Sequence, residues 1–141
     1  MNEKIIHFIS KQTCGNLCTM DAEGKPWCFT FFYAFHPEDG LLYFKTHDDA
    51  RHTINMKANP IVAGTILPDK FNHLQIKGIQ FEGEVLPPDH ELSAHASSRY
   101  HHKHPIALAM SGDVWTVKLN AVKFTDNTLG FGTKFLWSRQ G

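Results

Sequence analysis

Hydrophobic positions recur first at helical and then at alternating spacing. Ile5, Phe8 and Ile9 lie three to four residues apart between Glu3 and Lys11, behind an Asn2 that can cap a first turn, and predict a short amphipathic helix. Strands are predicted beyond it. Leu17–Asp21 leads through the turn Asp21-Ala22-Glu23-Gly24 to Trp27–Phe35, whose aromatic run suits a central strand covered on both faces. His36-Pro37-Glu38-Asp39-Gly40 has the composition of a turn, and Leu41–Thr46 returns as its hairpin partner. Asp48 and Asp49 can cap a helix over Ala50–Ala58. Asn59-Pro60 ends it, because a residue before proline avoids helical angles.

Ile61–Leu67 is β-branched and apolar, a strand. Leu74–Leu86 reads as a long strand with Ile79, Phe81 and Val85 on one side and Gln80, Glu82 and Glu84 on the other; Gly78 and Gly83 mark a bulge or a close backbone approach. Pro87-Pro88-Asp89 breaks it and can cap a helix from His90 to about His102, closed by Pro105. A last strand pair is expected at Asp113–Leu119 and Val122–Thr125, before a Gly-rich tail to Gly141. About six strands joined by short turns imply antiparallel order, and closure into a small barrel would remove exposed edges. The expected fold is mainly β, an antiparallel barrel with a few short helices in one domain over 1–141.

Composition narrows the function classes. With 14 basic and 14 acidic residues and no like-charge block, a non-specific nucleic-acid or anionic-membrane binder is not expected. The most apolar stretch, Gly24–Phe35, is interrupted by Lys25 and Pro26 and falls far short of the roughly 20 residues that span a bilayer. Nothing at the N-terminus reads as an export signal. Cys14, Cys18 and Cys28 are an odd number without redox or zinc spacing, which points to reduced thiols in a cytoplasmic protein. The 11 Phe, 3 Trp and 3 Tyr exceed what one narrow barrel needs, so some rings are expected to cover a ligand or a second subunit.

The most informative segment is Thr46-His47-Asp48-Asp49-Ala50-Arg51-His52-Thr53, where a strand gives way to a helix. Free amides, the positive end of the helix dipole and a bidentate Arg51 favour a phosphate there, and Thr46, Arg51, His52 and Thr53 could all donate to it. A solvated helix start is the competing reading. The histidines His95, His101, His102 and His104 lack a His-Glu-x-x-His arrangement, so no metal site is expected.

Strand, Thr46, Arg51-His52, a helical stretch and Asn59-Pro60-Ile61-Val62 together resemble the cofactor strand and helix of the pyridoxamine 5′-phosphate oxidase-like family, the FMN-binding split barrels. In that family a threonine, a serine, an arginine and a lysine hold the FMN phosphate. Thr46 and Arg51 match, whereas Ala50 replaces the serine and His52 the lysine. Lys123 to Gly132, with Gly78-Ile79-Gln80-Phe81-Glu82-Gly83, further resembles a YhbP-like bacterial subfamily, a likeness that supplies no substrate.

The resemblance implies a homodimeric split β-barrel with FMN between subunits, acting on a small molecule or reduced nicotinamide. A non-catalytic flavin or haem carrier is the alternative. It also implies that Thr30 and Phe32 lie along the flavin ring and that Gln80 stands in for a family glutamine contributed by the second subunit. Trp115 matches a tryptophan near the ring, although its alternation with Val117 and Leu119 suits a core position equally. The subfamily likeness further implies that Asn127 and Lys134 close over the pocket.

Overall fold

The side chain of Asn2 accepts from the Lys4 amide at 2.7 Å and starts helix α1 (Glu3–Lys11), which buries Ile5, Phe8 and Ile9 as their spacing predicts. A computed structural model describes residues 1–141. Eight strands follow: β1 (Cys14–Met20), β2 (Pro26–Phe32), β3 (Ala34–His36), β4 (Leu41–Thr46), β5 (Ile61–Ile66), β6 (Lys77–Leu86), β7 (Asp113–Asp126) and β8 (Lys134–Ser138). Helix α2 (Arg51–Ala58) lies between β4 and β5, and α3 (Ala96–Lys103) between β6 and β7. All pairings are antiparallel, in the order β2-β1-β5-β6-β7-β4-β3, with β8 on the far half of β7.

The two margins of this sheet are one run of chain. Only Tyr33 separates β2, which pairs with β1, from β3, which pairs with β4, so the sheet must curl to let residues 26–36 serve both ends. Tyr33 fixes the crossover: its amide donates to Thr13 O at 3.2 Å and its hydroxyl to Ile9 O at 2.6 Å. The curled sheet is a mainly antiparallel half-barrel, the split-barrel fold expected. Its inward positions, among them Leu17, Phe31, Phe44, Ile66, Phe81 and Val117, form one core closed by α1. A smaller cluster lies on the other face of β4, where Leu41, Tyr43 and Val114 meet Ala96 and Tyr100 of α3. Burial from both sides explains the unbroken apolar run of β4.

Several expectations are corrected. Trp27–Phe35 is not a central strand covered on both faces; β2 lies at a margin, and Trp27, Cys28, Thr30 and Phe32 are exposed. Asp48 and Asp49 do not cap α2: Ala50 occupies the cap position with no side-chain bond. The long strand begins at Lys77 rather than Leu74. Asp113–Leu119 and Val122–Thr125 are one strand, because the interruption at Asn120 opposes a register shift at Glu82/Gly83 and is absorbed as a bulge. His90 rather than Asp89 caps the following turn, and the helix expected over His90–His102 divides into a 3₁₀ turn and α3. The Gly-rich tail contributes β8. No helix is long and apolar enough to cross a membrane.

Candidate functional site

Thr46, the last residue of β4, faces the first turn of α2 in a relay whose hydrogen positions can be assigned. Thr53 Oγ1 donates to His47 O at 2.6 Å, so its single proton is committed and Thr46 Oγ1, 3.1 Å away, must donate to it. The Thr46 proton is then also committed. His52 Nε2, 2.6 Å from Thr46 Oγ1, is therefore the N–H donor, which leaves Nδ1 an acceptor in the neutral ring. Burial lowers the His52 pKa from its ordinary value. The imidazole is stacked on Phe29 at 3.6 Å between centroids and 8° between planes.

Arg51 completes the corner. Its guanidinium lies 3.8 Å above the Trp27 ring of β2, an exposed cation–π contact that holds the charge at the helix start. Ile54 N donates to Ala50 O at 3.1 Å, the first bond of the helix, so the Arg51 and His52 amides precede the helix's own acceptors. With no side-chain cap from Ala50, this terminus suits an anion that caps it. Asp48 does not obstruct it through an inward turn but reaches towards Lys57 at 3.7 Å. Behind the corner Gly112 has φ 125°, and a Cβ there would stand 2.7 Å from Thr46 O.

The structure thus brings Thr46, His52 and Thr53 together, with Arg51 beside them. Thr53 has no exposed surface and acts on a ligand only through Thr46. Thr30, Phe32 and Gln80 lie elsewhere, on the outward face of the sheet. Register aligns Thr30, Asn16, Thr65, Gln80, Lys123 and Leu136 in one row across five pairings, and Thr30 Oγ1 donates to Asn16 Oδ1 at 3.2 Å. A groove of about 930 Å³ crosses this row between Cys28 and Trp137. Phe32, in the next row, is 54% exposed.

Trp115 is a core residue, 4% exposed, opposite Phe44, and its buried Nε1 has no hydrogen-bond partner. Asn127 is occupied in its own turn, accepting from Gly132 N at 3.1 Å, while Lys134 extends from β8. The histidines do not converge: His101 accepts from Lys45 Nζ at 3.0 Å and His104 donates to Tyr33 O at 2.7 Å, and no group of three His, Cys, Asp or Glu is placed to hold a metal. Sequence reasoning did not identify Trp27, Phe29 or Gly112 as parts of the corner. Their contacts come from the fold, and only the placement of two aromatics just before Thr30 hinted at them.

Comparison with known proteins agrees with this architecture. The sequence model of the family described as pyridoxamine 5′-phosphate oxidase matches residues 1–126. UPF0306 protein plu4501 of Photorhabdus laumondii is 40% identical over 139 residues, covering 98% of this chain and 96% of that one. UPF0306 protein YhbP of Shigella boydii is 36% identical over 135 residues, covering 96% and 91%. Among solved structures, a heme binding protein from Mycobacterium smegmatis superposes with TM-score 0.77 at 19% identity, over 93% of this chain and 55% of that protein. An FAD-binding protein from Mesorhizobium loti superposes with TM-score 0.69 at 15% identity, over 88% and 94%. At these identities the two structures establish the shared fold alone.

Proposed function

The chain belongs to the pyridoxamine 5′-phosphate oxidase family and to its UPF0306 group, and from that premise we propose that it is an FMN-binding oxidoreductase. The observation that carries this reading is the uncapped start of α2, where His52 meets Thr46 and the Arg51 charge is held over Trp27 in the same first turn. Arg51 would grip two phosphate oxygens, the first-turn amides would complete the cap, and Thr46 would orient His52 towards the anion. Phosphate fits Arg51 and the first-turn amides, and His52 joins as a donor once its Nδ1 is protonated. When bound, the flavin supplies two-electron transfer between a reduced nicotinamide or small organic donor and an acceptor such as oxygen.

The placement of these residues supports a homodimer. Gln80 and Thr30 belong to the outward sheet face, whereas Thr46 and His52 are at the β4/α2 junction, and a barrel of this size cannot enclose a flavin. A second copy presenting its outward face, with Gln80 and the exposed Phe32, would cover the rings held by the first. The exposed apolar surface of Phe32 and Leu136 supports this contact.

The visible spectrum of the purified protein tests the reading. Flavin bands that bleach with a nicotinamide donor and recover in air are expected. A Soret-type band would replace the reading with haem binding, and a flavin inert to every donor would leave a carrier. Equal affinity for FMN and riboflavin would remove the phosphate corner from the site.

A further inference from the structure

The outward face carries two thiols that chain spacing does not pair. Cys18 and Cys28 are ten residues apart in sequence and directly opposite in the β1/β2 register. Tyr33 N donates to Thr13 O at one end of this ladder and Asp21 N to Lys25 O at the other, at 3.2 and 2.9 Å. Hydrogen-bonded and non-hydrogen-bonded pairs alternate in an antiparallel ladder, so odd positions of β1 are the bonded ones. Cys18 and Cys28 consequently form a non-hydrogen-bonded pair. There Cα atoms approach to about 4.5 Å and side chains are closest, inside the range a disulfide spans. Both thiols line the same groove, Cys18 half-buried and Cys28 exposed on the marginal strand. Burial and the adjacent Cys28 thiol raise the Cys18 pKa, and the exposed Cys28 is the thiol that an external disulfide reaches first.

We propose that Cys18 and Cys28 are a redox-active dithiol that closes to a cross-strand disulfide on meeting a low-molecular-weight disulfide. The Cys28 thiolate attacks one sulfur of that disulfide, forms a mixed disulfide and expels one small thiolate. Cys18 then loses its proton and attacks the Cys28 sulfur, expelling the second small thiolate. Two protein S–H groups are oxidised to one S–S bond, and the external S–S bond is reduced to two thiols. Cys14 cannot substitute, because it pairs with Phe32 four residues along the strand from Cys18, about 13 Å away at the strand rise. The bond would tie the marginal strand β2, with Trp27 and Phe29, to β1. The exchange requires neither flavin nor a second copy, and a copy seated on this groove as in the proposed dimer would shield both thiols and slow it.

Purified protein, reduced and then exposed to oxidised glutathione, tests this by intact mass and thiol titration. The three free thiols should fall to one, with a mass loss of two hydrogen atoms restored by dithiothreitol. Cys14→Ser should fall from two thiols to none, whereas Cys18→Ser should retain a glutathione adduct on Cys28, and neither Cys18→Ser nor Cys28→Ser should form an internal bond. Accumulation of adducts on the wild-type chain without that mass loss would overturn the proposal. So would a bond mapped to Cys14 or between two chains. Because the readout is independent of cofactor, its failure is distinguishable from failure of the flavin reading.

Discussion

The imidazole of His52 lies flat on the phenyl ring of Phe29, with centroids 3.6 Å apart and planes within 8°. Phe29 points inward from the marginal strand β2, so this contact docks the first turn of α2 against the sheet and shields one face of the ring. Replacing Phe29 with Leu should rehydrate His52. Its pKa, followed by NMR titration of the imidazole, should rise towards the ordinary value near 6.5.

Arg51→Ala should weaken FMN binding by about 1.5–3 kcal/mol, the scale of a lost charged hydrogen bond. Riboflavin, lacking the phosphate, should bind wild type and variant alike. Fluorescence titration with both ligands makes the comparison.

The His52 tautomer gives a pH dependence with a definite sign. Neutral His52 offers a ligand only the Nδ1 acceptor, so phosphate favours the protonated ring, and FMN binding should take up a proton. In the free protein burial lowers the His52 pKa, so its contribution to stability is present above the unfolded value near 6.5 and is lost as pH falls through the lower folded value. Chemical denaturation across that interval checks the second effect. Calorimetry in buffers of differing ionisation enthalpy checks the first, and His52→Lys should abolish the uptake.

Gly112→Ala should destabilise the fold by about 1–3 kcal/mol, since its φ of 125° is strained for any L side chain and its Cβ would press on Thr46 O. Thermal melting should register the loss, with weakened FMN binding because the end of β4 is displaced.

Trp115→Ala should cost about 3–5 kcal/mol through the cavity it leaves. Trp115→Phe should cost less, because it also removes a buried donor that has no partner. Urea denaturation separates the two.

Much of the fold was legible in the sequence. Ile5, Phe8 and Ile9 specify α1 by spacing alone, Asn59-Pro60 ends α2, and the alternation through Ile79, Phe81 and Val85 identifies the faces of β6, because these signals depend on neighbours within a few residues. The corner was named through Thr46, Arg51 and His52 for the same reason: strand end and helix start are adjacent in the chain.

What sequence could not supply was everything decided by partners distant along it. Trp27–Phe35 reads as a buried strand because aromatic density reports hydrophobicity, not position in a sheet; only the curl that makes residues 26–36 both margins leaves Thr30 and Phe32 outside. The stacking of Phe29 on His52, the close approach of Gly112 to Thr46 and the opposition of Cys18 to Cys28 depend on register and on the packing of α2 against β2. Local pattern determined which elements form, and long-range pairing decided which side chains meet, since contact across a sheet is set by hydrogen-bond register rather than by separation along the chain.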